Sequence, residues 1–159
     1  MGGKIALERA EKIANEVIKR LSPYCERIVI AGSIRRRQPW VHDLDFVLIP
    51  SDPWNLYQVM GELGPSKASG EKLRRVMVGN VQLDFYFADE TTWGTLFLVK
   101  TGSAENNIRL CLRAKDMGWR LHADGSGLFN QYGKRIAGDS EYSIYEALGL
   151  PWQRPEERG

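Results

Sequence analysis

The sequence predicts an α+β fold in which a sheet-based N-terminal lobe is followed by a smaller C-terminal lobe. Three observations carry that prediction. Apolar runs of strand length crowd residues 27–87, helix-period patterns flank and interrupt them at 4–21 and 52–63, and from Thr91 onward the pattern turns mainly helical. At 159 residues, with 43% hydrophobic and 26% charged residues, the chain can bury one sizeable core and is neither disordered nor fibrous in composition.

Taken in order, residues 4–21 set Ile5, Ile13, Val17, Ile18 and Leu21 at mostly helical intervals among Glu, Lys and Arg. This predicts an amphipathic helix closing before Pro23. Arg27 to Ala31 reads as a short buried strand broken by Gly32-Ser33, and Leu44 to Ile49 resumes as a second strand that stops at Pro50. Asp52-Pro53 supplies a helix start, Asp as N-cap and Pro as first residue, for a helix running to about Leu63. Leu73 to Val78 and Val81 to Phe87 flank Gly79-Asn80, which predicts a hairpin. In its second arm Val81, Leu83, Phe85 and Phe87 share one face and Gln82, Asp84 and Tyr86 the other, so Asp84 points away from the apolar side.

Thr91 to Lys100 is helical, Gly102 stops it, and Ser103 is placed to cap a helix ending before Gly118. Trp119 to Tyr132 carries turn glycines between short apolar runs, and Ser140 to Leu148 predicts a last short helix. The lobes divide near Lys100 to Ser103, giving residues 1–100 and 101–159. The spacing of Trp93, Phe97 and Trp119 suits a core better than a stacking platform for bases.

The net charge of +2 hides a basic stretch over residues 1–40 and an acidic one over 41–100, as expected where carboxylates serve metals and guanidinium groups serve phosphates. Cys25 and Cys111 lie far apart without metal-ligand spacing or a disulfide framework. No apolar run is long enough to span a bilayer, so a cytoplasmic protein without a membrane role is expected.

The chemistry concentrates in Ala31-Gly32-Ser33-Ile34-Arg35-Arg36-Arg37, in Asp43-Leu44-Asp45 and in Asp84. Residues two apart on a strand project from one face, so Asp43 and Asp45 can reach shared ions, and Asp84 on a neighbouring strand completes a set of three carboxylates. Such a cluster repels itself unless hard cations intervene, which points to two Mg2+ or Mn2+ ions. A Gly-Ser turn leaving a strand exposes backbone N–H groups and a hydroxyl to an anion, and Arg36 adds bidentate contacts to phosphate oxygens. Phosphoryl chemistry on a nucleotide triphosphate follows.

In these residues the chain resembles the family X DNA polymerases, within the nucleotidyltransferase superfamily marked by Gly-Ser, Asp-x-Asp and a distant Asp. Thr101-Gly102-Ser103 with Asn107 on the next helix is similar to the family's nucleotide-selection segment. The stretch from Glu141 to Arg158, with Leu148-Gly149-Leu150-Pro151, resembles its terminal helix and tail. The resemblance implies a nucleotidyltransferase palm of mixed sheet and helices, a thumb-like C-terminal α/β subdomain, and a reduced form with those two parts alone. It also implies template-directed addition of deoxynucleotides to a primer 3′ hydroxyl with release of pyrophosphate, in gap-filling repair, by a monomer that binds primer-template or gapped DNA and deoxynucleoside triphosphates. Asp43 and Asp45 would bind both metals, and Asp84 would bind the catalytic metal and help deprotonate the primer hydroxyl. Gly32, Ser33 and Arg36 would hold the triphosphate with a backbone contribution near His42. Thr101 and Gly102 would lie along the sugar and Asn107 would reach the base.

The chain departs from the family pattern at several places. Val99 and Lys100 stand where two aromatic residues commonly discriminate against ribonucleotides, and His42 where glycine often precedes the first aspartate. Cys111 replaces an arginine that contacts the template strand, leaving Arg109 and Arg113 as substitutes for DNA binding, and His122 is expected to be structural or at the surface. Two alternatives stay open: nucleotidyl transfer to a small-molecule or protein acceptor, and a non-catalytic module that binds DNA ends.

Overall fold

The computed structural model describes residues 3–159. Its centre is a five-stranded mixed sheet of β2 (Cys25–Ile30), β4 (Asp43–Pro50), β7 (Val81–Phe87), β6 (Leu73–Val78) and β5 (Ser66–Ser69), in that spatial order. The β4–β7 pair is parallel and the other three pairs are antiparallel. Parallel neighbours require a crossover, and here the chain from β4 reaches β7 through α3 (Pro53–Leu63), β5 and β6.

Side-chain alternation along β4 sorts the two faces. Leu44, Phe46 and Leu48 are buried with Leu83 and Phe85 of β7 against α1 (Leu7–Leu21) and α3, whose Ala10, Ala14, Val17, Leu21, Leu56 and Met60 complete the main core. Val47 and Ile49 face the other way, beneath Trp93 and Leu96 of α4 (Trp93–Thr101). Helix α4 is apolar nearly all round because it is buried on more than one side: Leu98 belongs to the C-terminal core. That core is formed with α5 (Ala104–Asp116), α6 (Glu141–Ala147) and a three-stranded antiparallel sheet of β8 (Arg120–His122), β9 (Gly127–Phe129) and β10 (Arg135–Ala137).

The predicted caps are present, the side chains of Asp52 and Ser103 accepting from the backbone N–H of Asn55 and Asn106, and Ser140 caps the last helix in the same way by accepting from Ser143 N–H. Trp93 is buried, and Phe97 and Trp119 pack against cores. The structure departs from the local expectations at three places. The first helix starts at Leu7 because Ile5–Ala6 forms β1, a ribbon paired with β3 (Trp40–Val41). The Gly32-Ser33 break is itself a single helical turn, α2 (Gly32–Arg35). Strand β5 has no apolar alternation to announce it, since all four of its residues are exposed at the sheet edge.

Candidate active site

Parallel register places Asp45 directly opposite Asp84, with Asp43 opposite Gln82 at the start of the same two strands. Asp43 and Asp45 share a face with Val47 and Ile49, but α4 covers only that later pair and leaves the carboxylate end of the sheet open. A cleft of about 350 Å³ opens there, lined by Ser33, Arg36, Gln38, Trp40, Val41, His42, Asp43 and Asp45.

Charge crowding at this end is severe. Burial, with Asp84 and Asp43 adding their negative charges, pushes the Asp45 carboxyl up from 3.8 to about 7. Burial and the Asp84 charge also raise Asp43, with Arg75 among the cations that oppose the rise. Asp84, 3% exposed, accepts from Arg75 Nε at 2.7 Å and from Gln82 Nε2 at 3.3 Å. Among the described residues no three His, Cys, Asp or Glu side chains already converge on a single point at ligand distance. The Arg75 guanidinium occupies the Asp84 carboxylate. The donor set nonetheless fits a hard divalent cation: three carboxylates on adjacent strands, with burial and mutual repulsion both raising the cost of ionising Asp45. Asp43, Asp45 and Asp84 are the residues that could hold such ions.

The turn beside them is built to tight tolerance. Gly32 has φ +63°, and a Cβ there would collide with the Asp45 carboxylate, so only glycine lets α2 lie against the acidic strand. Ser33 and Arg36 face the cleft, and Arg36 Nη1 donates to Thr101 O at 2.7 Å. Burial lowers the Arg36 pKa, against the charges of Asp45 and Glu105. His42 is exposed at the rim of the cleft.

On the C-terminal side, the Thr101 hydroxyl donates to Phe97 O and accepts from Arg35, and Gly102 turns the chain at φ +73°. Asn107 Nδ2 donates to Val99 O at 2.9 Å, while its buried Oδ1 has no partner among the described residues. Arg109 is engaged by Asn106 and Gln153, and Arg113 by Leu148 O, so both guanidinium groups serve the C-terminal lobe. Cys111 is exposed, and the Lys100 ammonium lies 4.4 Å from the centre of the Tyr86 ring. His122 lies in the β8–β9 hairpin against Phe129.

Sequence reasoning missed two groups of residues. Arg75 had a signal, because the two-residue Gly79-Asn80 turn pairs Val78 with Val81 and so places Arg75 opposite Asp84. The second group had none. Glu141 is buried at the start of α6, where Arg35 and Arg158 converge on its two oxygens, and the Arg158 side chain is 0% exposed. Burial raises the Glu141 pKa, but the hydrogen bonds and charges of Arg35 and Arg158 together hold it below the ordinary carboxylate value. Arg35 thus ties the glycine turn to Thr101 and to the C-terminal lobe.

Residues 96–159 match the family described as DNA polymerase beta thumb. Over 157 residues, 94% of its length, the chain is 31% identical to the DNA polymerase/3′-5′ exonuclease PolX of Bacillus subtilis. In these two comparisons the chain is similar to family X DNA polymerases. It spans 27% of the length of that Bacillus relative. Two crystal structures of Leishmania infantum polymerase beta share the α+β fold of this chain. One, a ternary P/T complex, superimposes with a TM-score of 0.81 at 21% identity, over 99% of this chain and 77% of that one. The other, a ternary gap complex, gives 0.78 at 21% identity over 98% and 71%. Among the described residues no helix is long and apolar enough to cross a membrane.

Proposed function

We propose that the chain carries the catalytic palm and thumb-like subdomain of a template-directed DNA polymerase, with the palm over residues 1–100 and the thumb over 101–159. The observation that supports this best is the parallel register of Asp45 with Asp84, beside Asp43 and within reach of the Gly32-Ser33 turn. The Leishmania counterparts were captured as P/T and gap complexes, which supports primer-template or gapped DNA as the partner here.

In this reading Ser33, Arg36 and the α2 backbone bind the β- and γ-phosphates, and Asp84 receives the proton of the primer 3′ hydroxyl. The O3′ atom then bonds to the α-phosphorus, and the bond from that phosphorus to the pyrophosphate oxygen breaks. Two Mg2+ or Mn2+ ions held by Asp43, Asp45 and Asp84 would acidify the hydroxyl and neutralise the leaving phosphates. Thr101 and Gly102 border the sugar, and Asn107 is freed from Val99 O to reach the base. Positioning and charge account for most of the rate, with little covalent work by the protein.

Extension of labelled primers on open, gapped and template-free substrates, with deoxy- and ribonucleotides in Mg2+ and in Mn2+, tests this. Template-dependent incorporation that disappears in Asp84→Ala, with that variant still folded, is expected. Nucleotide transfer to a soluble acceptor without any primer extension overturns the polymerase assignment. Wild-type extension by Asp84→Ala overturns the carboxylate assignment.

A further inference from the structure

At the end of α2 consecutive guanidinium groups line different clefts: Arg36 the carboxylate cleft, and Arg35 a second one of about 380 Å³. Both lobes build the second cleft. Arg27 of β2 and Arg35 come from the N-terminal lobe, Tyr142 of α6 and Trp152 from the C-terminal lobe, and Trp93 and Phe97 of α4 complete an aromatic lining. Its walls are already in place. A Cβ on Gly94 would collide with the backbone of Asp139 and Ser140, so α4 and the turn before α6 are in direct contact. Arg35 is held by the Thr101 hydroxyl and by Glu141, and the Tyr142 and Trp152 rings stack with their centres 5.0 Å apart. A preformed cavity with aromatic walls and few charged groups is the usual form of a small-ligand site. The charges in it are unequally answered. Glu141 is matched by Arg35 and Arg158, and Asp139 by Arg135. Arg27 is exposed and has no carboxylate partner among the described residues; its guanidinium lies 4.2 Å from the centre of the Trp93 ring.

We propose that this cleft binds a small aromatic anion, a flat ring carrying one phosphate or carboxylate, with the ring packed against the aromatic lining and the anionic group on the Arg27 guanidinium. Both halves of the ligand have a counterpart. Aromatic walls favour a flat ring through stacked and edge-to-face contacts, and a guanidinium grips carboxylate or phosphate oxygens with two parallel hydrogen bonds. Stacking on Trp93 orients Arg27 without using up its donors, so the anion replaces only water there. Because both lobes line the cleft, an occupant braces them in the arrangement seen here. The binding itself is independent of the polymerase assignment.

Titration calorimetry of the full chain in chelator, with phenyl phosphate as probe and inorganic phosphate as control, tests the ring and the anion separately. Phenyl phosphate should bind, and inorganic phosphate at least about tenfold more weakly, because only the first buries an apolar ring. Arg27→Gln, a change at an exposed position, should weaken phenyl phosphate by at least about tenfold, the size of one charge-assisted hydrogen bond. Tyr142 is 61% exposed, so Tyr142→Ala removes an outer wall without opening a core; it should weaken phenyl phosphate about threefold or more and leave inorganic phosphate unchanged. Arg36→Gln should hold phenyl phosphate within about twofold of wild type, since Arg36 lines the other cleft. No binding of phenyl phosphate to wild type, equal affinity for the two anions, or wild-type affinity in Arg27→Gln overturns the site. Loss of phenyl phosphate in Arg36→Gln also overturns it, because the anion then sits in the carboxylate cleft, and that result leaves the phosphate grip proposed there standing.

Discussion

Replacing Asp45 with Asn and following urea unfolding from about pH 4 to about pH 8 in chelator measures the charge crowding at the carboxylate face. The structure sets the size of the effect. Burial and the charges of Asp84 and Asp43 lift the Asp45 carboxyl from 3.8 to about 7. At about 1.4 kcal/mol per unit, ionising it in the folded chain costs at most about 4 kcal/mol, less whatever solvent screens from a partly exposed group. The sign follows from which state holds the proton more tightly. The folded state does, so this contribution is fully present below the unfolded pKa, is lost as pH rises, and levels off above about 7. Glu141 drives the opposite trend at low pH, and that trend cancels in the comparison because both proteins carry it. Wild type should therefore lose up to about 4 kcal/mol relative to Asp45→Asn across the range, and Mg2+ should return much of it to wild type at the alkaline end while barely moving the variant. A difference that stays flat, or that favours wild type as pH rises, refutes the crowding.

Two further outcomes follow from close contacts. Glu141→Gln strands the fully buried Arg158 and the Arg35 guanidinium on a neutral amide, so urea unfolding should show a loss of about 3 to 5 kcal/mol; a loss below about 1 kcal/mol would mean the ion cluster is not holding the lobes together. Gly32→Ala forces a methyl group toward the Asp45 carboxylate at a positive φ, so stability should fall by about 1 to 3 kcal/mol and primer extension by at least about tenfold. Near-wild-type values for both in steady-state extension and urea unfolding would remove the tight-turn argument.

Much of the fold can be read locally. The Asp52-Pro53 start, the Ser103 cap, the Gly79-Asn80 turn and the last helix from Ser140 are each decided within a few residues, and all lie where the pattern puts them. The apolar alternation in β7 placed Asp84 on the face opposite Leu83 and Phe85, as observed. What local pattern misses is equally specific. Exposed, polar β5 exists because β6 offers it an edge, and Ile5–Ala6 leaves the first helix because Trp40–Val41 pairs with it. Arg109 and Arg113 stay exposed on α5 but also bond to Gln153 and to Leu148 O, partners that a helical pattern does not announce.

By itself the amino-acid sequence determined the main helices and strands, the Gly79-Asn80 turn, the face on which each aspartate lies and the glycine that the turn requires, because periodicity, caps and positive φ act over a few residues. Only the tertiary structure decided that Asp45 lies across from Asp84, since a parallel pair is joined through a long crossover whose register no local period encodes. It alone gathered Arg35, Glu141 and Arg158. A charged residue carries no mark in the sequence of whether it will face water or a buried partner more than a hundred positions away, as Arg35 and Glu141 do at a separation of 106.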